Sequence, residues 1–397
     1  MPKRILIFSL AYYPSFVSGA EAAIKEITDR IDPEDIEFHL ITHLFDKSAP
    51  RQERIGNVTV YRVGFGGAYL SKILYVPLSA LLARRLHSRL RFNGLWSMMT
   101  YMLFPLVLAR LIGVRVSYLL TLQDGDPYEK VFERWFIRPF TPLLDHGFRQ
   151  ARVIQVISHY LGEWPKKRGY RGEVIQIGNG ANPDNLTMPY SDAELTAVRN
   201  ELGKQPDDVY LFIAARIVHQ KAMDVIVRAL ALLPKNVHFL IAGQGPDEPA
   251  LRTLATELGV AERVRFLGAL DRKEVPKYRN PIVSDIVVHP SRSEGLGNSV
   301  LSSMAARLPV VATQVGGFAD YIFDATRDPD VASTAWAVDP DDPQQIADAV
   351  TDILAHPEVV ARVTETARRM VEAEYTWEGV AEKMRAHVFS KLLTASE

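Results

Sequence analysis

Short apolar runs alternate with amphipathic stretches along most of the chain. Arg4 to Leu10 is a near-continuous apolar run, the pattern of a strand buried on both faces. Ser18 to Ile31 follows, with Ala20, Ala23, Ile24 and Ile27 at three- and four-residue spacing, which predicts a helix. Ile36 to Thr42 and Val58 to Val63 predict strands, and Leu70 to Leu90 a leucine-rich helix. Trp96 to Leu122 is apolar but interrupted by Pro105, Arg110 and Arg115. It predicts a buried helix and then a strand from Val114, and Val153 to Ser158 predicts another strand. Strands and helices in this order predict a parallel sheet covered on both faces. Asn179 to Asp192 is polar and turn-rich, with Pro183 and Pro189, and predicts a linker.

After a helix near Ala193 to Leu202 the alternation restarts. Strands are predicted at Val209 to Ala214, Val237 to Ala242, Val264 to Leu267, Asp285 to His289 and Val310 to Thr313. Helices are predicted at Ala222 to Leu233, Glu248 to Leu258 and Ser299 to Arg307, then at Pro343 to Ala355, Val359 to Glu374 and Thr376 to Leu393. The expected class is therefore α/β, with two Rossmann-like lobes facing a central cleft: residues 1–180, residues 181–375, and a C-terminal helix, 376–397, crossing back to the first lobe. Ligands of such sheets sit at the carboxyl ends of the strands, which places the expected ligand between the lobes.

Composition narrows the chemistry. The chain has 397 residues, enough for more than one core. Its 46 Lys and Arg nearly balance 47 Asp and Glu, which argues against nucleic-acid binding by bulk charge. With no cysteine there is no disulfide framework, thiolate metal site or thiol catalysis. The apolar run after Met1-Pro2-Lys3-Arg4 is too short for a secretory core, and no stretch has the uninterrupted length of a spanning helix. A cytoplasmic location is the expectation.

The densest chemistry lies in Pro290 to Gly317, PSRSEGLGNSVLSSMAARLPVVATQVGG. Glu294 falls just beyond a strand's carboxyl end. Gly295 and Gly297 allow close backbone approach, and the following helix aims its free N–H groups at the same place, as a phosphate requires. Arg216 and Lys221, five apart at another strand-to-helix turn, can reach one diphosphate as a bidentate fork and a point charge. Taken alone, each feature also fits an ordinary solvated turn.

Together they resemble the family-4 glycosyltransferases, retaining enzymes of the two-lobed GT-B fold. The chain matches that family's PS..EGFG…PVVAT..GG segment at Pro290, Ser291, Glu294, Gly295, Gly297, Met304, Ala305, Pro309 to Thr313, Gly316 and Gly317. Ala215 to Lys221 resembles its G-R-L-x-x-x-K segment, Gly243-Gln244-Gly245-Pro246 its G-x-G-P turn, Val264 to Gly268 the strand lining its base pocket, and Ser18-Gly19-Ala20-Glu21 its G-G-x-E loop. The resemblance implies transfer of a hexosyl group from a nucleotide sugar, a UDP- or GDP-sugar, to a saccharide or lipid-linked saccharide hydroxyl, with retention and with no metal or other cofactor. It assigns Glu294, Arg216 and Lys221 to catalysis. It assigns donor binding to Ser18, Gly19, Gln123, Gly243, Arg265, Gly295, Leu296, Gly297, Asn298, Ser299 and Ser302. A phosphorylase or epimerase on the same scaffold, or a non-catalytic sugar-nucleotide binder, remains an alternative.

Ser18 stands where the G-G-x-E loop has its first glycine, and two further departures from the family pattern bear on the chemistry. Ser302 stands where a second glutamate grips the nucleotide ribose, and Gln123 where a strand often supplies a histidine. Asp124-Gly125-Asp126 spells D-x-D, read here as a turn after a strand. Histidines 219 and 289 are isolated and have no metal-ligand spacing. Arg84, Arg85, Arg89 and Arg91 among leucines form a basic amphipathic helix, which suits either a solvated helix face or peripheral contact with the inner face of a membrane.

Overall fold

The computed structural model describes residues 2–14 and 18–394. Contacts divide the chain into two units, Met1–Asn179 with Trp377–Glu397, and Gly180–Thr376.

The first unit is built on β1 (Lys3–Phe8), β2 (Ile36–His43), β3 (Gln52–Ile55), β4 (Val58–Val63), β5 (Gly94–Met98), β6 (Tyr118–Leu122), β7 (Val153–Val156) and β8 (Val174–Gln176). They lie in the order β3-β4-β2-β1-β5-β6-β7-β8. Every pair is parallel except the hairpin β3–β4. Every residue of β5 and β6 is buried, which explains their continuous rather than alternating apolar pattern. Helix α1 (Gly19–Thr28) follows β1, α2 (Tyr69–Leu90) follows β4, and α3 (Leu103–Leu111) follows β5.

Trp377, Val380, Met384, Val388, Phe389 and Leu392, from the end of the chain, share one core with Ile5, Ile24, Phe38 and Trp96. Phe389 lies 5.3 Å from Trp96 and 5.7 Å from Phe38, ring centre to ring centre. Each large apolar side chain so buried contributes about 1.5–3 kcal/mol, so this segment is part of the unit's core rather than an appendage. The predicted single helix over Thr376 to Leu393 is interrupted by a π turn, Met384–Phe389. Buried Val380, Met384, Val388 and Leu392 recur every four residues. That spacing overruns a 3.6-residue turn, and the wider i→i+5 turn absorbs the excess.

The second unit carries β9 (Val209–Ala214), β10 (Val237–Ala242), β11 (Val264–Gly268), β12 (Ile286–His289), β13 (Val310–Thr313) and β14 (Trp336–Val338). Their order is β11-β10-β9-β12-β13-β14, all parallel. The strand order reverses between β9 and β12, so the crevice outside their carboxyl ends is the expected ligand position. The segment 179–192, predicted as a linker, contains a short helix, Pro183–Thr187. The Asn182 side chain accepts the Asp184 N–H at 3.0 Å, and Pro183 takes the first helical position, where no N–H is needed.

Candidate functional site

Two loops meet at the switch point. β9 runs out at Ala214 into the segment Ala215 to Lys221. β12 runs out at His289 into Pro290 to Gly297, and the helix Asn298–Ala305 follows. Across these loops the Lys221 ammonium pairs with the Glu294 carboxylate, both side chains largely shielded from solvent. Burial alone would push the Glu294 carboxyl up. The Lys221 charge and hydrogen bond, with the Gly295 N–H, outweigh it and hold the group below the usual carboxylate range, so Glu294 is ionised at neutral pH. Arg216 is exposed, and among the described residues its guanidinium has no hydrogen-bond or ion-pair partner. The crevice therefore holds one fixed carboxylate, one paired ammonium and one free fork.

Backbone contacts hold these loops. The Gly317 N–H donates to the Glu294 carbonyl at 3.0 Å. Gly316 has φ +56°, and a Cβ on it would lie 2.1 Å from the Glu294 carbonyl oxygen. The double glycine after β13 is thus a seat on which the Glu294 loop rests. Gly243, expected at the donor, plays the same part on the other side: a Cβ there would lie 1.9 Å from the Ala215 carbonyl oxygen.

Arg292 was not singled out in the sequence, because it occupies an unspecified position of the motif. Its guanidinium donates to Asp224 at 2.8 Å, to Asp341 at 2.7 Å and to the His219 carbonyl at 2.6 Å. Its N–H donates to the Gln220 carbonyl at 2.8 Å. It ties the Glu294 loop to the Lys221 loop. Arg292→Ala is expected to cost about 1–3 kcal/mol of stability and to weaken nucleotide binding, with little rescue by Lys, which lacks the fork. Melting curves with and without nucleoside diphosphate check this, and an unchanged response would remove Arg292 from the site's support. Arg279 was also missed. Its buried guanidinium donates to the Ser299 hydroxyl at 2.8 Å and to the Asn185 side chain at 3.3 Å, and burial lowers its pKa to about 10, which leaves it charged at neutral pH. His289 is buried, with its Nδ1 2.9 Å from the Ser291 hydroxyl. Burial first, and Lys221 next, lower its pKa to about 3, so it packs as a neutral ring.

The remaining predicted residues divide. Gly295, Gly297, Asn298 and Ser299 are at the crevice end of the Asn298–Ala305 helix. Gly297 (φ +83°) is the residue preceding that helix and backs onto Phe318. Three expectations are corrected. The Leu296 side chain is fully buried, so only its backbone can face a ligand, and its carbonyl already accepts the Tyr321 hydroxyl at 2.6 Å. Ser302 is buried, accepts the Asn182 N–H at 3.0 Å and donates to the Asn298 carbonyl at 2.7 Å, so its proton is not available to a ribose. Arg265 lies near the amino end of β11, and its guanidinium donates to the Leu202 carbonyl that ends a preceding helix, so it braces the fold on the side away from the strand ends. Ser299 is partly committed as well, donating to the Ala214 carbonyl at 2.9 Å.

In the first unit, Ser18 and Gly19 begin α1. The Ser18 N–H and hydroxyl donate to the Glu21 carboxylate at 2.7 and 2.5 Å, a capping arrangement that occupies the side chain. Gln123, just past β6, exchanges two amide hydrogen bonds with Asn179, at 3.1 and 2.9 Å. Asp124 and Asp126 serve different partners. Asp124 accepts the Thr100 hydroxyl at 3.1 Å, and burial pushes it up to about 6. Asp126 pairs with Lys130 at 2.8 Å. Arg85 and Arg89 are exposed on α2, Arg84 donates to the Ile112 carbonyl at 2.5 Å, and Arg91 ends the helix in a left-handed conformation with φ +53°. No helix among the described residues is long and apolar enough to cross a membrane.

Known proteins place these features in context. The family model described as glycosyl transferases group 1 matches residues 196–370. An alpha-D-kanosaminyltransferase of Streptomyces kanamyceticus is 30% identical over 294 residues, 71% of this chain and 72% of that protein. An uncharacterised glycosyltransferase of Methanocaldococcus jannaschii is 30% identical over 214 residues, 53% of this chain and 52% of that protein, so the match spans only about half of its length. Among solved structures, a sucrose-phosphate synthase of Thermosynechococcus elongatus superposes with a TM-score of 0.84 over 99% of this chain and 100% of its own, at 19% identity. That likeness shows the GT-B fold. The switch-point crevice, its ionised Glu294 paired with Lys221, and the kanosaminyltransferase match lead to one assignment: the chain belongs to the glycosyl transferases group 1 family.

Proposed function

We propose that the protein transfers a sugar from a nucleoside-diphosphate sugar, a UDP- or GDP-sugar, to an acceptor hydroxyl of a saccharide or lipid-linked saccharide, with retention and without a divalent metal. The Glu294–Lys221 pair beside the free Arg216 fork carries this reading. In the reaction the bond from the anomeric carbon to the diphosphate oxygen breaks, and a bond to the acceptor oxygen forms on the same face. The acceptor proton passes to the departing diphosphate, leaving a glycoside and a nucleoside diphosphate. Negative charge grows on the diphosphate and positive charge on the sugar ring. Arg216, Lys221 and the first N–H groups of the Asn298–Ala305 helix meet the negative charge, and such preorganised donors are worth about 2.7–4 kcal/mol each when they act only in the transition state. The Glu294 carboxylate accepts from sugar hydroxyls and faces the developing cation. The second unit would hold the donor and the first the acceptor.

The test presents a panel of UDP- and GDP-sugars with candidate acceptors and follows nucleoside diphosphate release and the anomeric NMR signal of the product. The expected result is a product of unchanged anomeric configuration, formed equally with and without chelator. An inverted product or a strict metal requirement would overturn the reading. Stabilisation by nucleotide sugar without any release would mark a binder instead.

A further inference from the structure

Between Glu53 and Asp124 the chain contains no Asp or Glu but nine Lys and Arg, although over its whole length 46 Lys and Arg face 47 Asp and Glu. Helix α2 lies inside this stretch, and its sides are the reverse of an ordinary surface helix. Ser71, Tyr75, Ser79, Ala80 and Ala83 are buried. Tyr69, Leu70, Ile73, Leu74, Leu78 and Leu81 are 37–77% exposed. Leu70, Leu74, Leu78, Leu81, Arg85 and Arg89 follow one another at three- or four-residue steps, so they form one stripe, aliphatic over its first turns and cationic over its last. Among the described residues, of the fifteen large apolar side chains left exposed, twelve belong to the first unit and only Leu232, Val331 and Leu354 to the second. Trp135 (84% exposed) and Phe140 add to the concentration, and Phe140 packs edge-on against Phe104 of α3, the helix beside α2.

We propose that α2 is a docking face for an anionic lipid bilayer. The helix lies in the interfacial plane with its aliphatic stripe entering the acyl boundary, while Arg85 and Arg89 meet the headgroups. Lipid is the occupant that the charge pattern fits. Two copies of this face set parallel would oppose cation to cation, and set antiparallel would press the cationic turns onto the aliphatic ones, with no carboxylate on α2 to pair them in either case. Arg84, committed to the Ile112 carbonyl, and Arg91, held in the helix cap, are not the lipid-reading groups. The proposal is independent of the transfer reaction, and its test uses neither donor nor acceptor.

The full chain is sedimented with vesicles of phosphatidylcholine containing phosphatidylglycerol, and with phosphatidylcholine alone. Binding is expected to the anionic vesicles and to be at least about tenfold weaker to the neutral ones. Arg85→Glu with Arg89→Glu, and separately Leu74→Asp with Leu81→Asp, are each expected to lower binding by about tenfold or more with unchanged melting. Because the chain has no cysteine, Leu81→Cys can carry a single environment-sensitive dye, and this reads the face even if the double variants misfold. A blue shift on anionic vesicles is expected at Leu81→Cys and none at Leu354→Cys. Failure of the wild type to sediment, an unshifted dye at Leu81→Cys, or a dimer that Leu74→Asp with Leu81→Asp converts to monomer would overturn the proposal.

Discussion

Glu294→Gln is expected to lower sugar transfer by about two to three orders of magnitude while changing nucleoside diphosphate affinity by less than about threefold. The amide keeps the carboxylate's shape but loses the charge proposed to face the sugar. Lys221 loses its partner, so its ammonium is freer to hold the diphosphate, and nucleotide affinity should not suffer. Parallel kcat and affinity measurements check the split, and equal losses would mean that Glu294 does not act at the sugar. A pH signature accompanies this. Glu294 is held below the usual carboxylate range, so its pairing contributes stability above that range and loses it as pH falls through the lowered value. The variant should lack this part of the acid limb. Lys221→Met is the complementary case. It leaves the Glu294 carboxylate shielded and unpaired, a change that costs about 3–5 kcal/mol where burial is complete and somewhat less here.

The second large effect is expected at a residue with no functional group. Gly316→Ala should reduce transfer by about a hundredfold, because a loop displaced by about 1 Å misplaces Glu294. The new Cβ would stand 2.1 Å from the Glu294 carbonyl oxygen, so the backbone carrying the carboxylate must move. Gly203→Ala is the matched control. Gly203 has φ +62°, close to the +56° of Gly316, but a Cβ there meets nothing within 4 Å. Both variants carry the same left-handed strain, about 1–2 kcal/mol, and only Gly316→Ala disturbs the site. Comparable activity in the two would refute the seat.

Strand content was legible because parallel strands covered on both faces are written as short apolar runs. Val209–Ala214, Val237–Ala242 and Val310–Thr313 carry the bounds expected of them. Strands of three or four residues without that pattern, β3, β8 and β14, were not legible, since partners rather than their own sequence define them, and β5 was read into the buried helix because its apolar run continues without a charged residue into that of α3. The π turn at Met384–Phe389 likewise follows from the core onto which the segment packs.

The candidate site was legible to the extent that chemistry resides in residue type. A glutamate after β12, a lysine and an arginine after β9, and a helix start between strands are local features, and local order places them at the ends of parallel strands. Which groups are free is a different matter, because hydrogen-bond partners come from distant parts of the chain. Ser302 is occupied by Asn182, 120 residues away, Arg265 by Leu202 and Gln123 by Asn179. Arg292 gained its part only when Asp224 and Asp341 were folded around it.

By itself, then, the sequence determined the two α/β units, their strand ends and the kinds of charge available there, since burial pattern and residue chemistry are carried by neighbours along the chain. Tertiary structure alone decided that Lys221 and Glu294 neutralise each other, that paired glycines seat the loop carrying Glu294, and that α2 turns its leucines outward. Those outcomes depend on which backbone and which charge arrive from elsewhere in the fold.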